Sequence, residues 1–133
     1  MIFIDTGAFL ARYLKGDQNH REALDAWEKL QKSFGRYYTS NFVLDETFTL
    51  LARRAGYAFA AERARNILSS TALIILRPEK EDEIEAVDFF QKYSDQEVSF
   101  TDCTSFVLMK KKNLKRAFSF DGHFERAGFQ LWP

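Results

Sequence analysis

Short runs of β-branched and aromatic residues recur along this chain, separated by segments with helical periodicity, and that alternation constrains the fold more than any other feature. Met1-Ile2-Phe3-Ile4, Tyr37-Tyr38-Thr39, Leu73-Ile74-Ile75-Leu76, Ala117-Phe118-Ser119-Phe120 and Phe129-Gln130-Leu131-Trp132 read as strands. Helices are expected between them. The first covers Ala8 to Leu14 and is closed by Gly16; the second runs from His20 to Phe34 with Ala23, Leu24, Trp27, Leu30 and Phe34 on one face. Ser40 or Asn41 can cap a third helix carrying Leu44, Phe48, Leu51 and Ala55, and a fourth lies near Tyr57 to Leu68. Glu79 to Tyr93 returns to helical spacing through Ile84, Val87 and Phe90, and Ser99-Phe100-Thr101-Asp102 opens a helix that buries Phe106 and Met109. Strands alternating with helices favour an α/β sandwich around a mostly parallel sheet.

The 133 residues suit one domain spanning 1–133, and 46% apolar residues with 14 Phe supply a dense core. Nineteen Lys+Arg balance nineteen Asp+Glu, so no overall positive field holds a polyanion, and any contact with nucleic acid must be local. The longest apolar runs, Tyr57 to Ala61 and Ala72 to Leu76, are five residues, far below the ~20 that cross a bilayer. No basic-then-apolar leader precedes Asp5, so a cytoplasmic protein is expected. One cysteine, Cys103, and two histidines cannot furnish the usual zinc site, so a metal here must bind mainly to oxygen.

Most acids fall on expected exposed helix faces, including six between Glu79 and Asp88. Four stand elsewhere: Asp5 after the first strand, Glu46 early in a helix, Asp102 at a helix start and Asp121 after a strand. In an open parallel sheet, strand ends and the starts of the following helices share one rim, where ligands bind. Each acid also has an ordinary explanation. Asp5 can cap a helix, Asp102 can complete a capping box with Ser99, and Asp121-Gly122 can be a turn. Glu46 has Val43 and Leu50 as helical neighbours and so points partly inward, yet Asp45, flanked by Phe42 and Phe48, competes for the same role. Two carboxylates ~4 Å apart repel by ~4 kcal/mol at an effective dielectric of ~20, so a cluster must bind cations or hold protons. An oxygen-only donor set suits Mg²⁺ or Mn²⁺.

Asp5-Thr6 after an initial strand, Thr39-Ser40 leading to Glu46, Ser99-Phe100-Thr101-Asp102, and Phe118-Ser119-Phe120-Asp121-Gly122-His123-Phe124 followed by Ala127-Gly128-Phe129 together resemble the PIN-domain nucleases. The likeness is in particular to VapC-type toxin ribonucleases of prokaryotic toxin–antitoxin pairs, and it covers nearly the whole chain. It implies a PIN-like three-layer α/β/α sandwich with a parallel sheet of about five strands in the order 3-2-1-4-5, and a homodimer. It makes Asp5, Glu46, Asp102 and Asp121 the catalytic, metal-binding acids, choosing Glu46 over Asp45, with Thr6 and Thr101 positioning water or phosphate. Cys103 stands where many relatives have alanine, and the resemblance assigns His123 no role.

The implied chemistry is Mg²⁺-assisted (or Mn²⁺-assisted) hydrolysis of RNA phosphodiesters, leaving 5′-phosphate and 3′-hydroxyl ends, with a small antitoxin as partner. Arg53, Arg54, Arg63, Arg65 and the cluster Lys110, Lys111, Lys112, Lys115 and Arg116 are basic groups that could guide RNA, although a basic helix end needs no ligand. A metal-free ribonuclease would have to use His20 and His123, and would be distinguished by activity in EDTA. An aspartate-nucleophile phosphatase is disfavoured by Gly7, where such enzymes carry a second Asp. The non-enzymatic alternative is a catalytically silent module of the same fold that binds RNA or a partner.

Overall fold

Ile2–Ile4 (β1) is buried at every position, as a short apolar strand is when helices cover both faces of its sheet. A computed structural model describes all residues from Met1 to Pro133. The chain continues through α1 (Thr6–Tyr13), α2 (His20–Ser33), β2 (Tyr37–Ser40), α3 (Asn41–Ala55), α4 (Tyr57–Leu68), β3 (Leu73–Leu76) and α5 (Lys80–Lys92). A 3₁₀ turn at Ser94–Gln96 leads to α6 (Phe100–Lys111), β4 (Arg116–Phe118), α7 (His123–Arg126) and β5 (Gln130–Trp132). The five strands form one sheet in the order β3-β2-β1-β4-β5, every pair parallel. This is the α/β/α sandwich that the alternating pattern and the resemblance imply.

Because β1 leads outward to β2 and β3 on one side and the chain then returns to lay β4 on the other, the crevice between β1 and β4 opens at the carboxyl ends of the strands. That is the topological switch point of such a sheet. Two hydroxyls tie its edge together. Thr39 Oγ1 donates to the Ile4 carbonyl at 2.9 Å, and Ser40 Oγ accepts from Val43 N at 3.1 Å, so β2 closes onto the end of β1 and starts α3 in two consecutive residues.

The core is aromatic on both sides of the sheet. Trp27 of α2 packs on Phe9, Tyr37 and Phe118, with its indole N–H donating to the Ala8 carbonyl at 2.9 Å. Phe106 of α6 meets Phe89, Tyr93, Phe124 and Phe129. Helix α6 is buried from Asp102 through Met109, so its first turn is anchored by an apolar body behind it. No helix is long and apolar enough to cross a membrane.

Four expectations are corrected. Ile84, Val87 and Phe90 are 58%, 52% and 47% exposed; the inward face of α5 is instead Asp82, Ala86, half-buried Phe89 and the following Tyr93. Both series have helical spacing, and the small Ala86 lets α5 approach α6 where a larger side chain would hold it off. Leu24 is likewise exposed on α2. Among the acids of α5, Asp82 is not solvated: it accepts from Glu79 N at 2.9 Å and pairs with Lys111 at 3.2 Å, which lowers its pKa. Finally, the fourth strand ends at Phe118 rather than Phe120, because its two neighbours β1 and β5 end opposite it at Ile4 and Trp132, and the chain then leaves the sheet at Ser119, whose hydroxyl meets Asp5.

Candidate metal centre

An open cavity of about 420 Å³ at the carboxyl ends of the strands is lined by Asp5, Thr6, Glu46, Asp102, Asp121 and His123, among others. Each acid arrives from a different element. Asp5 immediately follows β1, and its backbone N–H donates to the Phe118 carbonyl of β4 at 3.0 Å, which pins it in the crevice. It stands at the N-cap position of α1 but makes no side-chain cap bond; its Oδ2 accepts from Ser119 Oγ at 2.8 Å. The same serine oxygen accepts from Asp121 N at 3.0 Å, so one hydroxyl couples the loop after β4 to the acid after β1. Ser99 Oγ caps α6 by accepting from Asp102 N at 3.0 Å, and this fixes the first turn that presents the Asp102 carboxylate. Asp121 Oδ1 accepts from His123 N at 2.9 Å, the turn expected of Asp-Gly, and its other oxygen faces the cavity.

Glu46 lines the cavity beside Leu50, whereas Asp45 is exposed, so the inward choice between the two is Glu46. Thr6 also lines it; the residue is 6% exposed and its buried Oγ1 has no partner. Thr101 does not join: one residue before Asp102 it is turned by ~100° around the helix, and its carbonyl accepts the Thr104 and Ser105 hydroxyls. His20 lies away from the cavity, half-buried, with Nδ1 2.7 Å from the Ala11 carbonyl, so no pair of histidines is assembled.

The carboxylates raise one another's pKa. Burial, reinforced by the charge of Asp102, pushes Asp5 from the usual carboxylate range up to about 8, against the lowering bonds from Ser119 and Thr6. Burial, followed by the charges of Asp121 and Glu46, raises Asp102 to about 7. Buried anionic oxygens that repel each other, beside an orphaned hydroxyl, make a donor set that fits a hard divalent cation. Cys103, next to Asp102, is buried and its thiol is raised to about 11, so it is inert packing.

Sequence reasoning missed His123 and Ser119. The imidazole Nδ1 lies 3.1 Å from Asp121 Oδ2 and 3.4 Å from Asp102 Oδ2. The Asp-x-His spacing in a turn was the available signal for His123. For Ser119 there was none, since a serine inside an apolar run reads as strand.

The basic groups lie outside this cavity. Lys111 sits nine residues beyond Asp102 on α6, ~13 Å along the helix, and pairs with Asp82. Lys110 stands 4.6 Å over the Phe89 ring and Arg116 5.1 Å over Phe34. Arg63 packs over Phe59 and Tyr13, and Arg54 lines a separate cavity with Lys15.

Residues 2–130 match the family model described as PIN domain. Over 129 residues the chain is 39% identical to the 23S rRNA-specific endonuclease VapC20 of Mycobacterium tuberculosis, covering 97% of this chain and 95% of that protein. The crystal structure of VapC20, a sarcin–ricin loop cleaving toxin, superposes with a TM-score of 0.88 at 36% identity, covering 97% and 96% of the two chains. A VapC ribonuclease of Archaeoglobus fulgidus is 29% identical over 123 residues, 91% of this chain and 77% of that one.

Proposed function

The chain belongs to the PIN-domain family, and from that premise we propose that it is a divalent-cation-dependent endoribonuclease, the toxin of a toxin–antitoxin pair, that cuts RNA to leave 5′-phosphate and 3′-hydroxyl ends. The observation that carries this reading is the convergence of Asp5, Glu46, Asp102 and Asp121, spread over most of the chain, on one cavity. Mg²⁺ or Mn²⁺, when bound, supplies an acidified water and neutralises charge on the phosphate that is attacked. The chain's own residues do the rest. Asp5, Asp102 and Asp121 would hold the cation. Glu46, presented by α3, accepts a hydrogen bond from the attacking water and aims its lone pair. Ser119 fixes the Asp5 carboxylate, and the free Thr6 hydroxyl donates to a phosphate oxygen or to water.

The substrate class follows from the likeness to VapC20: large-subunit ribosomal RNA is the target to test first. The compartment is then the cytoplasm, where ribosomes are, and the partner is a small antitoxin protein. The test is cleavage of total cellular RNA by the purified chain with Mg²⁺, Mn²⁺ or EDTA, with fragment ends mapped. Cation-dependent cuts at few positions in 23S rRNA, with 5′-phosphate ends, are expected. Cleavage that persists in EDTA would contradict the metal mechanism, and RNA binding without cleavage in either cation would favour the silent module.

A further inference from the structure

His123 is the one side chain in the cavity that is neither an acid nor a hydroxyl yet points its ring nitrogen at the acids. Its Nδ1 is buried and sits 3.1 Å from Asp121 Oδ2 and 3.4 Å from Asp102 Oδ2, but satisfies hydrogen-bond geometry with neither. A protonated Nδ1 would be expected to aim its hydrogen at one of these oxygens, and a bare lone pair facing two anionic oxygens is repelled. Donor atoms that share a cation at about 2.1 Å are themselves about 3.0–3.4 Å apart, the edges of an octahedron or tetrahedron, and both separations fall in that interval. One nitrogen and two carboxylate oxygens here lie within 4.8 Å of one another. The Thr6 Oγ1, on a residue 6% exposed in the same cavity, is a second buried polar atom there without a protein partner, left to bond a ligand or a water.

We infer that Asp102, Asp121 and His123 form a mixed nitrogen–oxygen metal site, with His123 Nδ1 as a direct ligand, and that this nitrogen gives the protein a preference for Mn²⁺ over Mg²⁺. The inference rests on the nuclease reading above and deepens it. Mg²⁺ is bound chiefly through oxygen and keeps its waters; Mn²⁺ shares that taste for carboxylate but, as a first-row transition ion, accepts an imidazole nitrogen beside it more readily than Mg²⁺ does. The ring is also preset: His123 N donates to Asp121 Oδ1 at 2.9 Å, so the backbone of one ligand is fastened to the side chain of another, and little freedom is lost on binding.

The test is binding of Mn²⁺ and Mg²⁺ to the purified chain by calorimetry, with pulsed electron paramagnetic resonance of the Mn²⁺ form, for wild type, His123→Gln and His123→Asp. Wild type should show nitrogen-14 modulation of the Mn²⁺ signal. His123→Gln should lose it, and its Mn²⁺ affinity should drop about tenfold or more while Mg²⁺ affinity changes less. His123→Asp, which restores an oxygen donor in the same turn, should bind both ions with little preference and no nitrogen signal. Mn²⁺ bound to wild type without nitrogen modulation, or equal losses of both ions in His123→Gln, would overturn this inference and leave the nuclease reading standing. Failure of wild type to bind either ion would overturn both. A melting profile for each variant separates loss of binding from loss of fold.

Discussion

Asp5→Asn is expected to lower RNA cleavage by about 10³-fold or more, equivalent to ~4 kcal/mol of transition-state stabilisation, while the protein stays folded. Asp5 lies deepest among the acids and is fixed by Ser119 Oγ at 2.8 Å and by its own backbone bond to Phe118, so an amide of the same shape keeps the crevice intact. What it loses is the charge that holds the cation. The same change should make the cation-free protein more stable at pH 8.5, by about 1–3 kcal/mol or ~3–10 °C in Tm, because it removes a buried anion beside Asp102. Opposite signs for activity and stability are the signature of a charge kept for function. Unchanged activity would indicate the silent module, and a parallel loss of both would indicate that Asp5 serves folding.

The second expectation concerns pH. Asp5 and Asp102 are raised in the folded protein to about 8 and about 7, from 3.8 when the chain is open. Between these limits the native state holds more protons than the unfolded one, so the contribution to stability is complete below pH ~4 and is lost as pH rises through 7 and 8. Cation-free protein should therefore lose several kcal/mol, with a Tm fall of ~10 °C, between pH 5 and 9. Saturating Mn²⁺ should flatten the profile, since it takes the place of the protons, and should stabilise far more at pH 8.5 than at pH 5.5. Differential scanning calorimetry with and without the ion checks this. A Tm that climbs across the same window, or an equal effect of Mn²⁺ at both pH values, would show that the carboxylates do not share a field.

The sheet was legible because its signal is local. Leu73–Leu76 is an uninterrupted apolar run bounded by breakers and is a strand at those residues. Strand order was not readable from periodicity, since every parallel crossover leaves the same pattern, and only the resemblance supplied it. The helix faces were half legible. Residues 84, 87 and 90 share the spacing of the true inward face of α5, and a small Ala86 together with a paired Asp82 does not look like a core. In the cavity, the positions of Asp5, Glu46, Asp102 and Asp121 were visible as acids at the rim of strands and helices. Their mutual distances were not, because these arise from contacts such as Ser119 to Asp5, 114 positions apart in the chain. His123 was hidden for the same reason: its turn was recognised, but the neighbour across it, Asp102, comes from another helix.

The central claim is that carboxylates far apart in sequence bind one cation together, and anomalous scattering from crystals soaked in Mn²⁺ tests it most directly. The account predicts a peak in the cavity within coordination distance of Asp5 and Asp102. A cavity without anomalous density at saturating Mn²⁺, or a peak bound only by acids of the exposed α5 face, would contradict it.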